Sequence, residues 1–449
     1  MALTRRAVWL AAAGIVPVLL VPSAGTVVVW AVLVAVLCAV DVALAASPRE
    51  VAVRRDVPAS VRLGTPTASA LVLTNRSGRR LRARVRDAWP PSMLTDAATG
   101  LARAVAASTR HDVDVAPGES VRVRTPLLPT RRGDRRAGDV TVRSFGPLRL
   151  AARQASLPVP GRVRVLPEFA SRRHLPSRLA RLREMDGRAA VQVRGEGTEF
   201  DSLREYVVGD DVRSIDWRAT ARRGDVVVRT WRPERDRRVV VVLDTGRTSA
   251  ARIDASDGGA SAGATRLEAS IEAALLLAAL ADRAGDRVQV LAYDRTLRGR
   301  VAGASGPRLL PELAETLATV EPALLETDWH GLVGQVRSRV SQRALVVLLT
   351  ALDPAAVESG LLPVVDQLTG THQVVVAAVA DAEVAALRAG RDDVAQVYDA
   401  AAAARGELER AAVAAVLRRR GAEVVEALPD DLAPQLADTY LALKAAGRL

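Results

Sequence analysis

The chain has one cysteine, Cys38, and four histidines in 449 residues. A lone cysteine cannot close an internal disulfide, so the fold needs no oxidising compartment. The histidines are far apart along the chain, which disfavours a zinc site built from His and Cys ligands. A chain of this length can hold two or three domains, each with its own core.

Lysine is as rare as cysteine, since Lys444 is the only one. Arginine therefore supplies nearly all the positive charge, and the formal net charge is +12. An excess of arginine has three explanations: nucleic-acid binding, coding bias, or attraction to the anionic inner face of a membrane. The arginines are scattered rather than collected into one basic arm. This distribution disfavours nucleic-acid binding, because phosphate recognition needs a concentrated basic footprint.

Two apolar runs, residues 7–22 and 26–46, stand at the start of the chain. Each approaches the roughly 20 residues with which a helix spans a bilayer, although Pro17 interrupts the first and Asp41 lies near the end of the second. The flanking arginines are Arg5, Arg6, Arg49, Arg54 and Arg55. Because arginine concentrates on the cytoplasmic side of membrane proteins, we predict a transmembrane hairpin over residues 1–48 with both chain ends in the cytoplasm.

The competing interpretation of this region is a cleaved signal peptide whose apolar part is residues 7–22. The second apolar run argues against it, because a long hydrophobic stretch would then begin the mature protein. With the hairpin, we expect a multi-pass protein of the cell membrane. Two helices would cross the bilayer, and the bulk of the chain would lie in the cytoplasm.

Residues 49–169 alternate between apolar and polar side chains in short segments that turn residues separate. This pattern predicts a β-sandwich domain, interrupted by a helical insert from Thr95 to Ser108. The domain shows no evident chemistry, so we interpret it as a spacer or a binding module, with the spacer favoured. The clearest strand segments are Ser60–Leu63, Ala70–Leu73, Leu81–Val85, Ser120–Val123 and Val140–Arg143.

Residues 239–449 alternate between short apolar strands and amphipathic helices, which predicts a doubly wound α/β (Rossmann-type) sheet buried on both faces. In such sheets, ligands bind beyond the carboxyl ends of the strands, where Asp244 and Thr350 stand. The predicted strands are Val239–Leu243, Val288–Tyr293, Ala344–Leu349, Val374–Ala380 and Glu423–Ala427. The predicted helices are Thr265–Ala284, Pro307–Val320, Gly331–Val340, one after Pro354, Gly406–Arg420 and Ala433–Ala446.

Residues 170–238 hold the most distinctive segment, in which carboxylates, arginines and aromatics are closely spaced. The run from Gly197 to Arg222 reads GTEFDSLREYVVGDDVRSIDWRATAR. It resembles the signature of the DUF58 family of bacterial proteins, and the resemblance extends over essentially the whole chain. The resemblance implies a paired transmembrane start, a β-sandwich and a von Willebrand factor A-like (vWA-like) domain. It also implies a MoxR-type AAA+ ATPase as partner in an assembly or chaperone-like system.

Ten residues of this segment are candidate interaction residues: Glu199, Phe200, Arg204, Tyr206, Asp210, Asp211, Arg213, Asp216, Trp217 and Arg222. One interpretation is a structural ion network in which arginines pair the acids. Trp217 and Tyr206 would then pack the segment against the α/β domain or the sandwich. A second is a docking surface, since aromatics and arginines commonly anchor protein interfaces. Catalysis is the weakest interpretation, because no nucleophile–base pair accompanies the carboxylates.

A vWA-like domain that binds Mg²⁺ does so through Asp-x-Ser-x-Ser after its first strand, with a Thr and an Asp from two further loops. The resemblance matches this ligand set at Asp244, Thr248 and Thr327. Two positions depart from it. Gly246 replaces the first hydroxyl, and Ala351 stands where the second Asp is expected. The Mg²⁺ site is therefore degenerate, since this ion demands a nearly complete octahedral set of oxygen ligands.

Asp353 lies two residues beyond the expected Asp and is the candidate replacement for it. Arg247 places a positive charge close to any cation, which disfavours binding. We therefore expect no cofactor, with Asp244 hydrogen-bonded to loop backbone, and keep a degenerate Mg²⁺ site as the alternative. The following segment, Ala250–Ala264, is rich in small residues and is interpreted as a flexible insert that could cover this edge.

These features together predict a membrane-anchored cytoplasmic adaptor that is not an enzyme. Its partner, a MoxR-type AAA+ ATPase, is implied by the family resemblance alone. The alternative function is a metal-dependent hydrolase that uses the sheet edge near Asp244. Nucleic-acid binding through arginine is a third option, and it would show a steep dependence on salt.

Overall fold

The computed structural model describes residues 2–94, 109–192, 199–207, 211–232, 237–253 and 264–449. The chain divides into two compact units, Met1–Glu168 and Phe169–Leu449. The insert predicted over Thr95–Ser108 and the middle of the Ala250–Ala264 segment lie outside the described residues. The finer division into domains 1–48, 49–169, 170–238 and 239–449 stays a prediction.

The first unit begins with a short strand, β1 (Ala2–Leu3), and three helices: α1 (Arg5–Ala12), α2 (Ile15–Leu20) and α3 (Ala24–Leu44). The first apolar run thus forms two short helices rather than one. The proline inside α2 has no N–H to donate to the preceding turn, and this favours a break there. Within the described residues, one helical segment, which begins with α3, is long and apolar enough to cross a membrane.

The short helices lie against α3. The indole Nε1 of Trp30 donates a hydrogen bond to the carbonyl of Leu10 over 3.2 Å. A Cβ atom at Gly14 would lie 2.2 Å from Cδ1 of the same indole. Only glycine therefore allows the chain to pass this close to Trp30.

The far end of α3 is fixed to the rest of the first unit by Asp41, which is fully buried. Its Oδ1 accepts the backbone N–H of Leu148 over 2.8 Å. Its Oδ2 accepts those of Leu150 over 2.7 Å and of Ala151 over 3.0 Å. The carboxylate that interrupts the second apolar run is thus satisfied by three backbone donors, as a buried charge requires.

Three sheets follow in the first unit, with strand orders β1-β10-β9-β5-β6, β2-β4-β7 and β3-β11-β8. The strands are β2 (Val51–Asp56), β3 (Ser60–Arg62), β4 (Thr67–Asn75), β5 (Leu81–Arg86), β6 (Arg110–Val115), β7 (Ser120–Leu127), β8 (Gly133–Arg136), β9 (Val140–Phe145), β10 (Ala151–Leu157) and β11 (Arg162–Leu166). Alternate residues of the first two sheets, such as Leu71 and Val142, share one apolar core. The two sheets therefore pack face to face, as the alternating pattern predicts.

A buried ion pair inside the sandwich joins β2 to the residue that follows β5. A guanidinium nitrogen of Arg55 is 2.8 Å from a carboxylate oxygen of Asp87, and both side chains are fully buried. Asp87 also accepts the indole N–H of Trp89 over 3.1 Å, and the guanidinium lies 5.7 Å from the centre of that ring. Such a pair needs these additional partners, because desolvation of two charges is costly.

The second unit begins with α4 (Leu175–Gln192) and a two-stranded antiparallel hairpin, β12–β13, which encloses the short helix α5 (Trp217–Arg223). A six-stranded sheet follows with the order β18-β17-β14-β19-β20-β21. The strands of this unit are β12 (Glu199–Glu205), β13 (Val227–Arg232), β14 (Arg238–Asp244), β15 (Arg252–Ile253), β16 (Ala264–Thr265), β17 (Arg287–Tyr293), β18 (Leu297–Ala302), β19 (Leu345–Leu349), β20 (Gln373–Val379) and β21 (Ala422–Ala427).

The six-stranded sheet is parallel except at one edge, where β18 runs antiparallel to β17. Numbered along the chain, its strands have the order 3-2-1-4-5-6. This order reverses between β14 and β19, which makes their carboxyl ends the topological switch point of the sheet.

Helices cover both faces of this sheet, each over its own apolar core. They are α6 (Arg266–Arg283), α7 (Leu309–Ala318), α8 (Trp329–Arg337), α9 (Pro354–Ala356), a π-helical turn (Val357–Leu361), α10 (Leu362–Thr369), α11 (Ala382–Leu387), α12 (Val394–Arg419) and α13 (Pro429–Ala445). The helices α6, α7 and α13 lie on one face, and α8, α10 and α12 on the other. Short 3₁₀ turns occur at Pro48–Glu50, Pro91–Met93, Ala170–His174, Val212–Ser214, Arg247–Ala250 and Gly306–Arg308.

The α/β alternation predicted from the sequence is present, and the predicted strands agree with the observed ones to within one residue. Several elements differ. The antiparallel edge strand β18 and the helix α11 were not predicted. The helix α12 begins at Val394 instead of Gly406, and α13 at Pro429 instead of Ala433. The first half of α12 is rich in alanine and largely exposed, so it lacks the apolar stripe that identifies a helix from sequence.

Candidate functional site

Four polar residues meet at the switch point of the six-stranded sheet. Asp244 is the last residue of β14, and Thr350 directly follows β19. Thr248 lies in the 3₁₀ turn just after β14, and Thr327 lies two residues before α8. Neighbouring parallel strands end at the same edge, so residues distant in sequence become neighbours here.

The Asp244 carboxylate is the centre of this cluster and is only 3% exposed. Its Oδ1 accepts the backbone N–H of Gly246 over 2.8 Å and the hydroxyl of Thr327 over 2.5 Å. Its Oδ2 accepts the hydroxyls of Thr350 over 2.6 Å and of Thr248 over 3.3 Å. An ionised carboxylate has about four acceptor sites, so donors of the chain itself saturate Asp244.

Carboxylate and hydroxyl oxygens are the ligands that Mg²⁺ prefers. The structure shows those of this cluster joined by hydrogen bonds from Thr327 and Thr350 to Asp244. Among the described residues, no group of three or more His, Cys, Asp or Glu side chains is placed to hold a metal ion. Ala351 adds no oxygen ligand from its side chain.

Asp353, the expected replacement ligand, has a different role. Its Oδ1 accepts the backbone N–H of Ala356 over 3.1 Å and so caps the start of α9. That Asp353 also completes a site with Asp244 stays a prediction. Arg247, expected to repel cations, is paired with Glu326 over 2.7 Å.

Gly246 is required by the close approach of Thr327. A Cβ atom at this glycine would lie 2.2 Å from the Thr327 hydroxyl and 3.0 Å from the carbonyl oxygen of Leu325. In metal-binding sequences this position is a serine. Here the space that a serine side chain would fill is taken by the hydroxyl of Thr327, which belongs to another loop. From the sequence, Gly246 is only a missing ligand, whereas in the structure it makes room for one of the hydrogen bonds to Asp244.

A second buried carboxylate, Asp294, was not predicted. It directly follows β17 and accepts Nε of Arg298 over 2.6 Å and the hydroxyl of Thr245 over 3.2 Å. Burial alone would raise its pKa, but the hydrogen bonds from Arg298 and from the backbone N–H groups of Thr296 and Arg295 outweigh burial, so the pKa of Asp294 is lowered. The sequence offered one sign of this residue, because Asp294 directly follows the predicted strand Val288–Tyr293.

We expect Gly246→Ala to destabilise the chain by about 1–3 kcal/mol, because the Thr327 hydroxyl must turn away and leave a buried carboxylate oxygen without one donor. The matched control is Gly334→Ala, at an exposed helical site where a new Cβ meets nothing within 4 Å. This control should stabilise the chain by about 0.5–1 kcal/mol. Urea unfolding of the detergent-solubilised protein measures both, and equal effects of the two substitutions would contradict this account of Gly246.

The signature segment is organised around Asp216. Its Oδ1 accepts the backbone N–H groups of Arg218 and Ala219, each over 3.0 Å, and so caps α5. Its Oδ2 accepts Nε of Arg229 on β13 over 2.8 Å. The hydrogen bonds from the Ala219 N–H and from Arg229 lower the pKa of Asp216. This acid is thus paired as an ion network requires, but by an arginine outside the predicted set.

The other candidate residues of the signature are placed as follows. Asp211 accepts the backbone N–H of Arg213 over 2.9 Å and caps a 3₁₀ turn. Arg204 donates to the carbonyl of Glu205 over 3.0 Å, and Tyr206 is partly buried. Arg213 and Arg222 are exposed. Two further candidates, Glu199 and Phe200, belong to β12 through their backbone, and their side chains lie outside the described part of the chain, as does all of Asp210.

Trp217, the first residue of α5, is 68% exposed. This exposure contradicts packing of Trp217 against the α/β domain of its own unit, and packing against the sandwich stays a prediction. Val212, one loop earlier, is 62% exposed. A large aromatic ring on the surface, among exposed arginines such as Arg213 and Arg218, is the arrangement that anchors protein interfaces.

Comparisons with known proteins match a protein family to most of the second unit. The model of a family described as "Protein of unknown function DUF58" matches residues 202–425. No curated protein matches the chain. The CARDB domain of a Pyrococcus furiosus protein is 16% identical over 24% of this chain and 94% of its own, with a TM-score of 0.17. A PapD-like domain of human CEP192 is 14% identical over 26% of this chain and 85% of its own, with a TM-score of 0.16. Scores this low support no inference.

Proposed function

This chain belongs to the DUF58 family, and from that premise we propose that it is a membrane-anchored cytoplasmic adaptor that recruits a protein partner. The first unit supplies the anchor, the sandwich acts as a spacer, and the second unit carries the docking surface. The single observation that carries the docking role is the exposed Trp217 among arginines.

A two-helix hairpin is supported by the way both ends of the helical region meet one residue of the sandwich. The carbonyl of Leu150 accepts the backbone N–H of Thr4, just before α1, over 3.0 Å. The N–H of Leu150 donates to Asp41, near the end of α3, over 2.7 Å. The segment between Thr4 and Asp41 thus leaves and returns to the same place. Its exposed apolar side chains, such as Leu19 and Val29, need a lipid environment.

The flanking charge supports one orientation of the proposed hairpin. Arg5 and Arg6 precede the helical region and Arg49 follows it, and all three are exposed. Arginine near membrane segments concentrates on the cytoplasmic side. We therefore propose that both chain ends and both compact units are cytoplasmic, and that the turn between α2 and α3 faces the other side of the membrane.

We assign the α/β domain of the second unit to the vWA-like class. The strand order 3-2-1-4-5-6 with an antiparallel third strand supports this assignment, and so does the cluster of Asp244, Thr248 and Thr327 at the switch point. A domain of this class without a working metal site serves as a binding scaffold. The partner implied by the family resemblance is a MoxR-type AAA+ ATPase, in assembly or chaperone-like remodelling.

Trp217→Ala should weaken capture of a purified MoxR-type AAA+ ATPase by the detergent-solubilised protein. Loss of an aromatic anchor at the centre of an interface reduces affinity by about 30-fold. The matched control is Tyr398→Ala, which removes another exposed aromatic of the same unit, 74% exposed, and should leave capture unchanged. Pull-down with quantified ATPase measures both variants. Capture by Trp217→Ala that equals capture by the wild type would contradict the proposed docking surface.

The adaptor is preferred to a metal-dependent hydrolase because the donors around Asp244 already satisfy its carboxylate. Calorimetric titration with Mg²⁺ or Mn²⁺ separates the two functions. We expect the wild-type protein and Asp244→Ala to give the same heats, those of dilution. Binding by the wild type that disappears in Asp244→Ala would instead support the hydrolase.

A further inference from the structure

We propose that the turn between β9 and β10, residues 146–150, is a second membrane contact. It places Leu148 at the boundary between headgroups and acyl chains, and Arg149 against the phosphates of anionic lipids. The inference rests on the proposed membrane anchoring of α3. It adds a specific lipid-binding element to the folded sandwich.

The position of the turn follows from its bonds to Asp41. The N–H of Leu148 donates to the Asp41 carboxylate over 2.8 Å. Asp41 lies three residues before Leu44, the end of α3, which is about 4.5 Å along the helix axis. The turn therefore lies beside the last turn of α3, where Val40 and Leu44 are 45% and 49% exposed. An apolar helix surface in contact with lipid at that level brings the turn to the edge of the bilayer.

The side chains of the turn suit such an interface. Leu148 is 46% exposed although it is apolar, and Pro147 beside it is also exposed. Asp41, whose carboxylate accepts the N–H of Leu148, also accepts two further backbone N–H groups, and these bonds offset part of the cost of holding its charge in a less polar region. An exposed leucine next to a membrane helix gains stability when it enters the interface.

Positive charge surrounds the same place. The carbonyl of Arg149 accepts the hydroxyl of Thr4 over 2.6 Å, and Thr4 precedes two exposed arginines at the start of α1. The guanidinium of Arg79 donates to the carbonyl of Ala43 in the last turn of α3. Arginine close to an anionic membrane surface contributes favourable electrostatic energy.

The acids near Arg149 are Asp112 and Asp114 on β6. Each already has its own arginine: Arg84 lies 2.8 Å from Asp112, and Arg80 lies 2.6 Å from Asp114. Both acids also attract Arg149. Arg82 is a further cation beside Asp114, at 3.9 Å, so the positive charges here outnumber the two acids and favour an anionic lipid.

Arg149 also has an unusual backbone conformation. Its φ of 57° is the only positive φ of a non-glycine residue among those described. Glycine adopts this conformation without strain, whereas an L side chain rarely does. The proposed contact gives the Arg149 side chain a role that glycine could not fill at this position.

Single-cysteine labelling tests the depth of the turn. In a Cys38→Ala background, an environment-sensitive fluorophore is attached to Leu148→Cys, Ser156→Cys or Val32→Cys, and the protein is reconstituted into phosphatidylglycerol vesicles that carry a lipid-bound quencher. Ser156 is exposed on β10, about 20 Å along the strand from the turn. We expect quenching at position 148 by a shallow quencher, at position 32 by a deep one, and none at position 156.

The outcomes distinguish this inference from the proposed anchor. A label at position 148 that is no more quenched than the one at 156 overturns the second contact while the anchor stands. A label at position 32 that escapes the deep quencher overturns the anchor itself, and the second contact with it.

Arg149→Gly tests the lipid specificity in the detergent-solubilised protein. Because glycine adopts the positive φ without strain, the thermal midpoint should not fall. Affinity for short-chain phosphatidylglycerol, reported by the fluorophore at position 148, should fall about fivefold. Titrations with phosphatidylcholine and with inorganic phosphate should not distinguish the variant from wild type. Unchanged affinity for phosphatidylglycerol would overturn the role of Arg149, whatever the midpoint.

Discussion

The hydrogen bonds of one buried carboxylate, Asp41, join the apolar helix of this protein to its folded part. Three backbone N–H groups of the β9–β10 region converge on that side chain at the foot of α3. A charge inside an apolar helix is costly unless it is fully bonded, and these three bonds satisfy it. The same bonds fix the helix to the sandwich instead of leaving it on a flexible linker. In the membrane anchor that we propose, they would set the position of the sandwich at the bilayer.

Buried aspartates have a similar role throughout the chain. Asp87 pairs with Arg55 inside the sandwich, Asp244 closes the switch point of the α/β sheet, and Asp294 binds Arg298 beside it. Each accepts several donors from its own chain, so these three carboxylates and that of Asp41 hold loops and strand ends in place.

The sequence predicts the parallel sheet well, because strands covered on both faces must be continuously apolar, as in Val239–Leu243. It does not identify β18, an edge strand with exposed arginines and a glycine. For the candidate site it identifies Asp244, Thr248 and Thr327, which lie next to strand and helix ends. It does not reveal that Asp353 caps α9, because an Asp before Pro354 has the same sequence signal as a ligand displaced by two residues. The exposure of Trp217 could not be predicted from the sequence either, because both buried and exposed aromatic residues can have charged neighbours along the chain.

The anchor is the claim on which the rest of the account depends, and its topology can be measured directly in cells. Ala24→Cys, in a Cys38→Ala background, places one thiol at the exposed start of α3, in the turn after α2. Ser156→Cys places one on the sandwich. The account predicts that a membrane-impermeant maleimide added to intact cells labels position 24, and labels position 156 only after the membrane is permeabilised. Labelling of position 156 in intact cells, or protection of position 24, would contradict a cytoplasmic protein held by a membrane hairpin.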